Sequence, residues 1–128
     1  MKITDLKPTI VWKFFHQVTQ VPRPSKKEGK MIEFLESFAK EYKIAIKKDE
    51  AGNLLMSKPA TPGMEDRPVV VLQSHMDMVC EKNNGTKHDF DNDPIETIVD
   101  GEWLRANGTT LGADNGIGVA AELALLAS

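Results

Sequence analysis

The sequence predicts an α/β fold, a mixed sheet flanked by helices, and three observations carry that prediction. Near the N-terminus, apolar residues recur at helical spacing twice over, first at Ile10, Val11, Phe14, Phe15 and Val18, then at Met31, Phe34, Leu35, Phe38 and Tyr42. Further on, the aliphatic run Val69 to Gln73 follows Pro68 and is too short for a helix, so it reads as a strand buried on both faces. Residues 119–126 are apolar almost all round, the pattern of a buried helix, with Glu122 as its single charge.

Each element has a local reason. Pro8 is well tolerated in the first turn of the first helix, which should stop by Val21 because Pro22 and Pro24 follow. Ser25 and Glu28 have the spacing of a capping box that would open the second helix. Ile44 and Ile46 alternate with polar positions, the turn-rich residues 49–53 follow, and Leu54 to Ser57 completes a hairpin. Residues 58–63 form a loop before the central strand. Ile95 to Val99 and Trp103 to Arg105 flank Asp100 and Gly101, a second hairpin. The aspartates Asp89, Asp91 and Asp93 alternate like a calcium loop, but the glycine and distal glutamate that such a loop needs are missing.

Composition bounds the function. At 128 residues the chain is one domain or less, and 41% hydrophobic with 27% charged residues is ordinary for a soluble globular protein. Sixteen basic against nineteen acidic side chains give a net charge of −3, with no basic run that calls for nucleic acid or an anionic membrane. No stretch approaches membrane-spanning length and no signal peptide is evident. Cys80 is the only cysteine, so no disulfide forms within the chain, and a cytoplasmic location is the expectation. Cys80 itself reads as a small buried hydrophobe.

Two stretches carry chemistry. At the end of the central strand the character changes to Ser74, His75 and Asp77. Residues two apart in an extended chain project to the same side, so an imidazole and a carboxylate leave the strand together, at the place where open α/β sheets bind ligands. A metal-bound histidine commonly gives its other ring nitrogen a carboxylate partner, which makes His75 a candidate ligand and Asp77 its orienting group. A strand-end histidine beside a solvated aspartate is the plainer alternative. The second stretch, residues 108–118, holds Gly108, Gly112, Gly116 and Gly118 around Asp114 and Asn115, at or just before the N-terminus of the last helix. There Asp114 serves equally well as a helix cap or as a ligand. The Lys-Ser/Thr ending of a phosphate loop is absent.

Taken together, residues 74–79, 87–90, 100–103 and 112–118 resemble the M20 metallopeptidases, and within that family the branch of cytosolic aminoacyl-histidine dipeptidases. The similarity covers nearly the whole chain, including residues 21–25 and 58–60. It implies a zinc-peptidase-like catalytic domain in which His75 binds one metal ion, Asp77 is the catalytic aspartate that orients it, and Asp114 bridges two divalent ions, zinc or else cobalt or manganese. The peptide after that bridging aspartate is commonly cis in the family. Family members are longer, with a downstream Glu-Glu pair, a further acidic ligand, a second histidine ligand and an inserted dimerisation domain; no Glu-Glu pair occurs here, and His16 and His88 lie outside the family's ligand positions. Residues 1–128 are therefore expected to be the N-terminal part of a catalytic domain, inactive alone and with an incomplete metal site. The parent would be a homodimer that hydrolyses Xaa-His dipeptides through a metal-bridging hydroxide. Another M20 hydrolase, such as an aminotripeptidase or an N-acyl amino acid deacylase, and a non-catalytic interaction module that kept the fold are the alternatives.

Overall fold

A computed structural model describes residues 1–128. A short 3-10 turn, Ile3–Asp5, leads into α1 (Thr9–Thr19) and α2 (Gly29–Glu41). The hairpin β1 (Ala45–Lys48) and β2 (Leu54–Ser57) follows, then a long irregular stretch, the hairpin β3 (Thr97–Asp100) and β4 (Trp103–Ala106), and finally α3 (Ala113–Ala127).

Helix α1 lies at the centre of the core. Phe14, Phe15 and Val18, recurring at the spacing of one helix face, are at most 1% exposed. Phe15 and Val18 belong to one cluster with Val119, Ala120, Leu123 and Ala124 of α3, whose small residues let the two backbones approach. Phe14 stands edge to face with Phe38 of α2 at 5.5 Å, and Phe38 in turn stacks on Tyr42 at 4.7 Å. Tyr42, just past the end of α2, is thus a packing residue. Pro8 precedes α1 as its N-cap, and the chain turns at Gln20 before the two prolines, as their fixed φ requires.

Both hairpins form where the sequence predicts them. β1 pairs antiparallel with β2, Ala45 opposite Ser57, and the turn between them is held by Asp49, whose carboxylate accepts from the backbone N–H groups of Ala51 and Asn53 and from the Asn53 side chain. β3 and β4 close around Gly101 and Glu102, with Gly101 at φ +61°, a value that glycine adopts without steric cost.

The α/β class is the predicted one, with helices beside small sheets, but three local expectations change. The run Val69 to Leu72 is not a buried strand: it joins neither hairpin, and its four side chains are 89%, 79%, 78% and 53% exposed. A strand exists only through ladder partners, and each hairpin here pairs within itself. The capping box is not formed either. Ser25 gives its hydroxyl to Asp77, and Glu28 accepts from the Lys26 backbone rather than closing the box. Lastly, α3 is not covered on every side, since Leu125 is 60% exposed. The acidic stretch is no calcium loop: Asp89 accepts from the Asp91 N–H and the Asn92 side chain, and Asp93 accepts from the Asp89 N–H, so these carboxylates close a turn on themselves.

Candidate metal centre

The irregular stretch after Gln73 is fixed from three sides. Ser74 donates its hydroxyl to Glu122 of α3 at 2.7 Å, which gives the lone charge of that apolar helix a partner. Met78 pairs with the segment after α1, its N–H donating to Arg23 O at 3.0 Å and its carbonyl accepting from Ser25 N. Beyond it, Lys82 and Thr109 form an antiparallel bridge, and the Thr110 hydroxyl donates to Val79 O. These links bring residues 74–82 alongside residues 108–114.

His75 and Asp77 meet as their spacing predicts. Nδ1 of His75 donates to Asp77 Oδ1 at 2.8 Å, which fixes the ring plane and turns Nε2 outward. Asp77 is oriented in turn by the Ser25 hydroxyl at 2.5 Å. That hydroxyl, followed by the His75 ring, holds the Asp77 carboxyl below its ordinary range.

On the other side of the site, Gly112 adopts φ +77° and the following backbone is non-helical at Asp114 and Asn115, with a cis peptide between the two. Regular helix begins at Gly116. Its cap is Asn115, whose Oδ1 accepts from the Gly118 N–H at 3.2 Å. Asp114 is therefore not the capping group, and its side chain stands 98% exposed with Oδ1 only 3.1 Å from His75 Nε2. The glycines have specific reasons. A Cβ on Gly118 would lie 2.4 Å from Asn115 Oδ1, and one on Gly116 2.7 Å from Arg23 Nη2.

The donor set suits a divalent cation. A carboxylate only accepts, so without a cation both nitrogens of His75 must carry protons to satisfy two carboxylates, and the Asp114 contact foremost raises the imidazole above its ordinary value. Two tetrahedral ligands of one zinc ion, each at about 2.0–2.1 Å, lie about 3.3 Å apart, which the 3.1 Å separation fits. A nitrogen and an oxygen are two of the three or four protein ligands such an ion takes. No third His, Cys, Asp or Glu group joins His75 and Asp114 in an arrangement that could hold a metal ion, and neither His16 nor His88 bonds to this pair. Cys80, between these segments, keeps its thiol: burial pushes it above its ordinary value.

Ser25 and Arg23 are parts of the site that the sequence does not single out, and Asn115, visible beside Asp114, takes the capping role there. Ser25 had a competing local explanation as a helix cap, and Arg23, between two prolines, gave no signal of being only 1% exposed. The isolated charge of Glu122 was the one visible hint that α3 had a polar partner elsewhere.

No family model matches the sequence. Over 98% of its length the chain is 50% identical to the cytosol non-specific dipeptidase of Escherichia coli (strain K12), and it spans 26% of that protein. The crystal structure of the aminoacylhistidine dipeptidase from Vibrio alginolyticus matches the whole chain with a TM-score of 0.97 at 49% identity, again over 26% of its own length. A tripeptidase from Staphylococcus aureus shares the fold, with a TM-score of 0.73 over 91% of the chain and 31% of its own, at 24% identity. In fold and in sequence, residues 1–128 are thus similar to a stretch of these peptidases. More particularly, the relatives at about 50% identity are dipeptidases, and the chain spans about a quarter of their length.

Proposed function

We propose that these residues are the N-terminal part of the catalytic domain of a divalent-metal dipeptidase, with the remaining ligands, the general base and a dimerisation domain supplied by chain beyond them. The observation that carries this reading is the convergence of His75 Nε2 and Asp114 Oδ1 to 3.1 Å from positions 39 residues apart. His75 and Asp114 would hold the metal, zinc before cobalt or manganese, and Asp77 would keep the imidazole in the tautomer that presents Nε2. When bound, a paired metal site polarises a scissile carbonyl and makes hydroxide available near neutral pH. The chain's own part is to hold a nitrogen and an exposed oxygen at ligand spacing, with Ser25 and Asp77 restraining the ring and the Asn115 cap leaving the Asp114 carboxylate free.

The names of the two relatives support dipeptides as substrates, with Xaa-His dipeptides the finer proposal, and a cytosolic setting. The parent is a homodimer. The 128-residue piece, with two ligands and no base, is inert. The test is an assay of the full-length protein against Xaa-His dipeptides, other dipeptides, tripeptides and N-acyl amino acids, with and without a chelator. Chelator-sensitive cleavage confined to dipeptides is expected. Turnover of N-acyl amino acids alone would sink the dipeptidase reading, and activity untouched by metal removal would sink the metal centre.

A further inference from the structure

Arg23 is a buried cation that the proposed chemistry does not use. It is 1% exposed, and burial pushes its guanidinium down to about 10 against the pull of Asp77. A lone buried charge destabilises a fold unless its hydrogen bonds are made, so its contacts report what it is for. Nη1 donates to the backbone carbonyls of Met76, at 3.2 Å, and Asp77, at 3.3 Å. Nη2 donates to the carbonyl of Gly112 at 2.7 Å. One rigid, planar group thus spans both backbones of the candidate metal centre, one residue after His75 on one side and two before Asp114 on the other.

The glycines of the second backbone agree with this. A Cβ on Gly112 would meet Nη2 at 2.5 Å, and one on Gly116 would meet the same atom at 2.7 Å. Two of the four glycines in this stretch therefore leave the space that the guanidinium fills. Nε has no partner among the protein's own groups, so every hydrogen bond that the Arg23 side chain makes within the chain goes to these two backbones.

We propose that Arg23 is a positioning residue that sets the distance between His75 and Asp114, acting through Met76, Asp77 and Gly112. The proposal rests on the metal-centre reading of those two residues. Lysine keeps the charge but not the fork, so it has no pair of nitrogens at fixed spacing to hold the two backbones apart at a set distance.

The test uses the full-length protein, stripped of metal and titrated with Co2+ alone, with thermal unfolding of the metal-free form measured in parallel. Arg23→Lys is expected to unfold within a few degrees of the unaltered protein while Co2+ affinity falls about 10- to 100-fold, the range for losing a partner that orients ligands. The visible absorption of bound Co2+ should change, and kcat should fall with KM for the dipeptide within about twofold. Arg23→Met provides the same measurement should the lysine variant not fold. His75→Ala and Asp114→Ala serve as controls. If they lose Co2+ while a folded Arg23 variant keeps the affinity and spectrum of the unaltered protein, the positioning role is wrong and the metal centre stands. If the two controls also keep Co2+, the metal centre itself is wrong. If neither Arg23 variant folds, the arginine is structural and the proposal falls.

Discussion

Asp114 separates from its neighbours by what it does not do. The helix cap is made by Asn115, so the Asp114 carboxylate is free of any backbone duty and stands out into solvent against His75. Asp114→Asn in the full-length protein should therefore leave the fold unchanged by circular dichroism. It should lower kcat/KM for a dipeptide by more than the roughly 10- to 100-fold that loss of an orienting partner costs. Near-normal turnover would contradict a ligand role. Gly116 makes a different test. Alanine there gains about 1 kcal/mol of helix propensity, but its methyl would meet Arg23 Nη2 at 2.7 Å and the Phe15 ring at 3.2 Å. Overpacking of this kind costs about 1–3 kcal/mol, so net destabilisation in a denaturant titration is the expected result. At Cys80 burial dominates, and the thiol should react with alkylating reagents at neutral pH more slowly than a free cysteine does.

Among the elements, the α1–α3 contact holds the site's second backbone in place, because α3 begins at the residues that present Asp114. Phe15 reaches from the middle of α1 to Gly116 at the start of α3, and is 1% exposed. Phe15→Ala should cost about 3–5 kcal/mol, read as a lower denaturation midpoint with little change in slope. The β1–β2 turn carries the pH dependence that belongs to this scale. The Asn53 side chain, then the Asn53 N–H, hold the exposed Asp49 carboxyl below its ordinary 3.8. A depressed carboxyl contributes stability above its unfolded-state value and loses it as pH falls through the folded-state value. The amide signals of Ala51 and Asn53 should therefore keep their native positions to a lower pH than an ordinary aspartate would allow, and move as pH falls through the depressed folded-state value. Asp49→Ala should abolish that acid transition.

For the whole molecule, the consequential feature is the exposed run Val69 to Leu72 ahead of the site, with Leu125 of α3 also uncovered. Apolar chain that pairs with nothing is a template for other chains. The 128-residue chain by itself is expected to self-associate, eluting from a sizing column ahead of a monomer as concentration rises. Val70→Lys should shift it back, whereas a sharp monomer peak for the unaltered chain at high concentration would refute the idea.

Local pattern suffices for the three helices and both hairpins, because helical periodicity and turn chemistry are local properties, and the two-residue spacing puts His75 beside Asp77 although the strand expected before them does not form. The sequence also carries the motifs that resemble those of the M20 metallopeptidases. Burial of Val69 to Leu72 was not legible, since an aliphatic run shows the capacity to be covered and not the partner that would cover it. Ser25 was ambiguous for a related reason: one hydroxyl suits a nearby helix end or a carboxylate 52 residues away, and only the folded chain chooses Asp77. Only the folded chain shows that Asn115 rather than Asp114 caps the helix. It alone placed Arg23 between the two backbones and brought His75 to 3.1 Å from Asp114. Contacts between residues far apart in sequence depend on how helices and loops pack in three dimensions, which no local pattern encodes.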